Sequence, residues 1–312
     1  MNKTRVLITV ELDGLIEAAR GAPDVEIVTA YDRPGMLQQI DQADVVCLAR
    51  FDAELLRRAR KLRWVHAMMA GVEGVLFPEF INNQIPLTCV KQCFGMPGAQ
   101  HAMASMLAVV SRLNDYWWLR SRSKLEWRLP CELQGRTLGI LGFGNIGRTL
   151  AQLAKPFGMR ILAMARTPHA DPAPADQLLL PHELPRLLGE SDFVVVAVPL
   201  TDQTRGMIDE PQLRLMKRSA WFIDISGRPA IVNQEAVIRA LEHQWIGGAD
   251  LQFATAPPPF SSLWTMENLI MSQYSANSQE ESRRCNELFA ENLRRFQKGE
   301  PLMGLVDKKA GY

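Results

Sequence analysis

Between Thr137 and Arg148 the chain reads Thr-Leu-Gly-Ile-Leu-Gly-Phe-Gly-Asn-Ile-Gly-Arg: a strand, a glycine-rich turn and the start of a helix. That order gives each glycine a task. Gly142 permits the tight turn, Gly144 lets backbone approach a pyrophosphate, and Gly147 lets the helix pack close on the strand. Phe143, Asn145 and Ile146 complete the turn. The following helix, expected over 145–155, aims its positive end at the phosphates. The chemistry this pattern serves is dinucleotide binding.

The next expected strand, 160–165, ends in Ala165-Arg166-Thr167. A carboxylate at this tip would accept the ribose 2′-hydroxyl and repel a 2′-phosphate. Here Arg166 can pair with that phosphate and Thr167 can hydrogen-bond it. The tip therefore predicts a preference for NADP(H), with NAD still possible.

These groups need a scaffold, and the chain is long enough for one. It has 312 residues, with 35 basic and 34 acidic side chains that nearly cancel. Two domains and a large core fit that length. There is no charge run that would suit nucleic acid, no basic amphipathic stretch and no apolar run long enough to span a bilayer. The first ten residues read as a short strand without a signal-peptide core. The cysteines, Cys47, Cys89, Cys93, Cys131 and Cys285, show no zinc-ligand or redox spacing. The expectation is a cytoplasmic protein with reduced thiols, no metal site, and a small molecule rather than nucleic acid or membrane as partner.

The fingerprint begins far from the N-terminus, so something of domain size precedes it. Expected strands at 5–10, 25–29, 45–49, 64–68 and 87–90 alternate with expected helices at 12–19, 35–42 and 53–60. Such alternation predicts an α/β fold with a parallel, doubly wound sheet. A long helix is expected over 98–123, with Ala102, Ser105, Met106, Val109 and Leu113 on one small or apolar face. Beyond the fingerprint, 193–198, 220–225, 246–251 and 269–271 read as strands. An amphipathic helix closes the chain over 279–298.

With these elements in place, the chain resembles the D-isomer-specific 2-hydroxyacid dehydrogenase family over its full length. The likeness is carried by Ala70-Gly71-Val72-Glu73, by the fingerprint, by Val198-Pro199-Leu200-Thr201 through Thr204 to Ile208, and by the tail from Lys298 through Asp307 to Tyr312. The resemblance implies two Rossmann-like domains around a cleft. A flavodoxin-like substrate domain would comprise 1–97 plus 282–312, and the dinucleotide domain 98–281. Gly71 and Val72 would bind the substrate carboxylate, and Val198, Pro199, Leu200 and Thr204 would line the cofactor. A homodimer built on the 98–123 helix is also implied, with Trp117 and Trp118 packing there or, alternatively, in ordinary core.

In that family a histidine protonates the carbonyl oxygen, a glutamate raises the histidine pKa, and an arginine binds the carboxylate of a 2-oxo acid. This chain departs from the pattern. Tyr274 stands at the histidine, and Ala256 at the glutamate, or Thr255 with a one-residue shift. Arg228 aligns with the arginine from its C-terminal side but needs one inserted residue from the other. The acid that usually follows the sixth strand is displaced, leaving Asp250 or Gln252 to hold the carboxamide. The two losses are coherent, because a glutamate left without its imidazole would be a buried, unpaired charge. Tyr274 is the expected replacement acid, although a phenol with a pKa of about 10 donates poorly at neutral pH unless a cation such as Arg228 assists. His101 is a weaker candidate, read first as a half-buried helix histidine. Two functions stay open at this point: an oxidoreductase acting on a small anionic carbonyl or hydroxy compound through a non-standard proton donor, and an inactive dinucleotide-binding regulator or scaffold.

Overall fold

The computed structural model describes residues 3–167, 172–253, 255–273 and 278–312. The chain divides into two compact units, Met1–Phe94 with Ser278–Tyr312, and Gly95–Asn277.

In the first unit, β1 (Thr4–Ile8), β2 (Val25–Thr29), β3 (Val45–Leu48), β4 (Trp64–Ala67) and β5 (Leu87–Cys89) form a parallel sheet in the order β2-β1-β3-β4-β5. Every residue of β3 and β4 is buried. Apolar runs such as Val-Val-Cys-Leu are what a strand covered on both faces requires. Leu7, Val46 and Val65 face Phe51, Leu55 and Phe80 on one side. Val6, Ile8, Val45 and Trp64 face Phe289 and Leu293 on the other. The latter two belong to the closing helix, Gln279–Lys298, whose start is fixed by Ser278 accepting from the Glu281 N–H and whose end is fixed by left-handed Gly299.

In the second unit, β6 (Thr137–Leu141), β7 (Arg160–Met164), β8 (Gln177–Leu179), β9 (Phe193–Val196), β10 (Trp221–Asp224), β11 (Gly248–Gln252) and β12 (Leu269–Ser272) pair in the order β12-β11-β10-β9-β6-β7-β8, all parallel. The chain winds outward from β6 to β8 and then returns to the other side of β6 at β9. That reversal is the switch point where open α/β sheets take their ligands, outside the carboxyl ends of the strands. Both units are thus doubly wound α/β sheets.

The long helix differs from expectation. It runs Gly95–Val110, and a second helix follows over Leu113–Ser121. Arg112 between them is left-handed, with φ +60°. The expected face holds as far as the break: Ala102, Ser105, Met106 and Val109 are buried, whereas Leu113 beyond it is exposed. Trp117 is 59% exposed rather than core. Trp118 donates its indole N–H to the Thr265 carbonyl, 2.9 Å away. Strand β8 was not foreseen, since three residues after a proline-rich loop show no period.

Small residues at the start of the first of these helices set its distance from the fingerprint helix, Asn145–Ala154. A Cβ on Gly95 would stand 2.7 Å from Asn145 Nδ2, and one on Gly98 would stand 3.2 Å from Ile146 Cγ2. Among the described residues, no helix is long and apolar enough to cross a membrane, and no group of three or more His, Cys, Asp or Glu could hold a metal.

Candidate active site

The fingerprint turn has the geometry its glycines imply. Gly142 adopts φ +103°, and a Cβ there would sit 2.6 Å from the Ala197 carbonyl oxygen. At Gly147 a Cβ would fall 2.1 Å from the Gly142 carbonyl oxygen, so only glycine lets the helix lie so close to β6. Gly144 is the opposite case: it is exposed, and no atom lies within 4 Å of its Cβ position. It is also the N-cap of Asn145–Ala154, and no side chain caps that helix. An open, glycine-lined helix N-terminus at the switch point fits a pyrophosphate. Phe143 is buried beneath it, with the Arg148 guanidinium 4.5 Å above its ring. Ile146 packs toward Gly98.

Arg166 and Thr167 are exposed just past the end of β7. After β9 the chain turns through Val198, Pro199 and Leu200. Thr204 holds this turn together: its hydroxyl donates to the Pro199 carbonyl at 2.6 Å and accepts from the Thr201 N–H at 2.8 Å. Its side chain therefore shapes the loop.

Past β10, Gly227 is left-handed, with φ +59°, and Arg228 is half-buried beside it. Asp224, the last residue of β10, is 1% exposed. The Ser226 N–H and hydroxyl donate to its Oδ1, at 2.9 and 2.6 Å. Its Oδ2 is buried without a partner among the described residues. Burial pushes the carboxyl pKa up to about 6; the Ser226 and Gly227 donors oppose this, and the nearby Asp250 charge adds to it.

Asp250 or Gln252 was expected to hold the carboxamide. Instead Asp250 is fully buried and its carboxylate is engaged by the protein. Oδ2 accepts from Ser105 and lies 2.8 Å from His101 Nε2, and Oδ1 accepts from Ser272 at 3.1 Å. Period-two alternation in β11 turns Asp250 and Gln252 to the same face, and the helix Gly95–Val110 supplies Asp250's partners on that side. Sequence reasoning missed this cluster. A signal was present, however: His101 and Ser105 lie four apart on one helix face, and a lone acid inside a buried strand must find donors.

Tyr274 lies outside the described residues. Ala256 is exposed. In the first unit, Gly71 and Val72 follow β4. The Val72 side chain is 1% exposed in the core, and its carbonyl accepts from the Val75 and Leu76 N–H groups. What this turn offers a ligand is backbone.

Comparison with known proteins adds to this geometry. The model of the D-isomer specific 2-hydroxyacid dehydrogenase NAD-binding domain matches residues 103–276. The glyoxylate reductase of Korarchaeum cryptofilum is 36% identical over 269 residues, which cover 83% of this chain and 80% of the relative. That of Thermococcus litoralis is 34% identical over 285 residues, covering 87% and 85%. The crystal structure of the NADPH-dependent glyoxylate/hydroxypyruvate reductase of Sinorhizobium meliloti, in complex with NADP and sulfate, aligns with a TM-score of 0.83 over 99% of this chain and 100% of its own. At 23% identity that likeness concerns the fold.

Proposed function

The chain belongs to the D-isomer specific 2-hydroxyacid dehydrogenase family, and on that premise we propose that it reduces a small 2-oxo acid with NADPH, taking the proton from a group other than the family's histidine. The observation that carries the reading is the open helix N-terminus at Gly144, set at the switch point of a doubly wound sheet and backed by the tight Gly142–Gly147 contact.

The bound cofactor supplies a hydride. The protein's part is to place it and prepare the carbonyl. The Gly144–Gly147 turn holds the pyrophosphate, and Arg166 with Thr167 receives the 2′-phosphate. Arg228 binds the substrate carboxylate and polarises its carbonyl. In the first unit, Gly71 and Val72 are the residues assigned to carboxylate binding by the family resemblance, through backbone N–H groups. The two curated relatives are named glyoxylate reductase, which supports small 2-oxo acids as the substrate class.

The test is oxidation of NADPH by the purified protein over a panel of glyoxylate, hydroxypyruvate and pyruvate. Turnover on at least one is expected. NADPH binding without oxidation across the panel contradicts the reading and favours a nucleotide-binding regulator.

A further inference from the structure

The phenol at the family's histidine position, Tyr274, donates poorly near neutral pH, which leaves room for a better proton source. One imidazole among the described residues is built into a buried acid–hydroxyl cluster at the carboxyl ends of the second sheet. His101 Nε2 lies 2.8 Å from Asp250 Oδ2. Asp250 is 0% exposed, and Ser272, the last residue of β12, donates to its Oδ1. Ser105, one turn along the helix from His101, donates to Oδ2. The two serines alone place a donor on each carboxylate oxygen, so burial of Asp250 does not require the imidazole. The imidazole in turn is not sealed in: the His101 side chain keeps 20% of its surface exposed. Its Nδ1 has no hydrogen-bond partner among the described residues. This is an acid–histidine pair with one ring nitrogen fixed and the other available. Asp250 lies in register, through Ile223 and Val195, with Ile140, one residue before the end of β6, and Ser272 ends β12, so the pair lies toward the carboxyl side of the sheet, the side on which such folds bind ligands.

We propose that His101 is the proton donor of the reduction and Asp250 its positioning residue, a claim that rests on the dehydrogenase reading above. With the Nε2 hydrogen committed to Asp250, the mobile proton is the one on Nδ1. As the hydride from NADPH forms a C–H bond at the carbonyl carbon, the Nδ1–H bond breaks and the carbonyl oxygen gains the proton. The neutral ring keeps its hydrogen on Nε2, and a proton from water restores the imidazolium. In the reverse direction Nδ1 takes the hydroxyl proton as the hydride returns to NADP⁺.

His101→Gln keeps an N–H donor for Asp250 and removes the exchangeable proton. The expected result is a fall in kcat of about 10² to 10⁴. Its NADPH dissociation constant, read by fluorescence, should stay within about twofold, because no phosphate contact changes. His101→Ala should regain part of its activity when free imidazole is added, a response that a purely structural histidine does not give. If His101→Gln fails to fold, the paired change His101→Gln with Asp250→Asn removes the buried charge and carries the same expectation of lost turnover. Wild-type turnover retained within threefold in His101→Gln or in the paired variant overturns the relay alone. An inactive wild type that still binds NADPH overturns the dehydrogenase reading, and the relay with it.

Discussion

The glycine-rich turn after β6 and the carboxyl ends of β10 to β12 lie on the same edge of one sheet, yet they are built on different principles. At the turn, the architecture resides in backbone: φ +103° at Gly142, a Cβ-free contact at Gly147 and open space at Gly144. Those demands are local, and each fixes a residue type. At β10 to β12, the cluster is made of side chains brought together from distant places. His101 and Asp250 are 149 positions apart, and Ser272 belongs to yet another strand. A motif can record the first kind of site. The second can change its residues whenever another side chain reaches the same space.

The sharpest way to break the comparison is to add atoms where backbone alone works. Gly147→Ala puts a methyl 2.1 Å from the Gly142 carbonyl oxygen, and neither backbone can yield without separating helix from strand. We expect a loss of about 3 kcal/mol in denaturant unfolding, near the upper end for overpacking, with NADPH binding lost as well. A stable variant that binds normally would mean the turn tolerates side chains.

Next in size is the side-chain contact that complements the turn. If Arg166 receives the 2′-phosphate, wild-type protein binds NADPH more tightly than NADH, and Arg166→Ala narrows that gap by more than tenfold. A charge-assisted contact worth about 1.5–3 kcal/mol predicts this. Equal wild-type affinities, measured by titration calorimetry, would leave Arg166 without that task.

The third test concerns Asp224, a carboxyl at the end of β10, whose effect is comparable in size but confined to a narrow pH range. Folding raises its pKa from 3.8 to about 6. The folded state therefore holds the proton more tightly than the unfolded chain. The stabilisation is complete below about pH 4 and is lost as pH rises to about 6. A shift of this size corresponds to about 2–3 kcal/mol. Asp224→Asn should flatten the stability profile between pH 4 and 6 relative to wild type, as chemical denaturation at several pH values would reveal. Parallel profiles would show that Asp224 is ionised at no cost.

The same contrast explains what could be read in the sequence. The fingerprint, the alternation of strands with helices and the closing helix Gln279–Lys298 were legible, because turns, caps and apolar periods are written in neighbouring residues. The break at Arg112 was not, since a single left-handed residue leaves the apolar period on either side intact. Val72 was singled out for its place in a substrate loop, but its side chain fills the core, where an apolar type is required in any case. Asp250 stands out in the sequence beside Gln252 as an acid near the cofactor, but its protein partners are not legible there. Strand alternation gave it a face, but only the fold could supply His101, Ser105 and Ser272.

Hydride transfer itself is the central claim, and isotopic labelling tests it most directly. The protein would be incubated with glyoxylate or hydroxypyruvate and NADPH deuterated at nicotinamide C4 on the face that is transferred, and the product examined by mass spectrometry and NMR. Deuterium on C2 of the resulting hydroxy acid is the predicted result. Intact, protein-bound deuterated NADPH beside unchanged 2-oxo acids, with no label in any product, would contradict it.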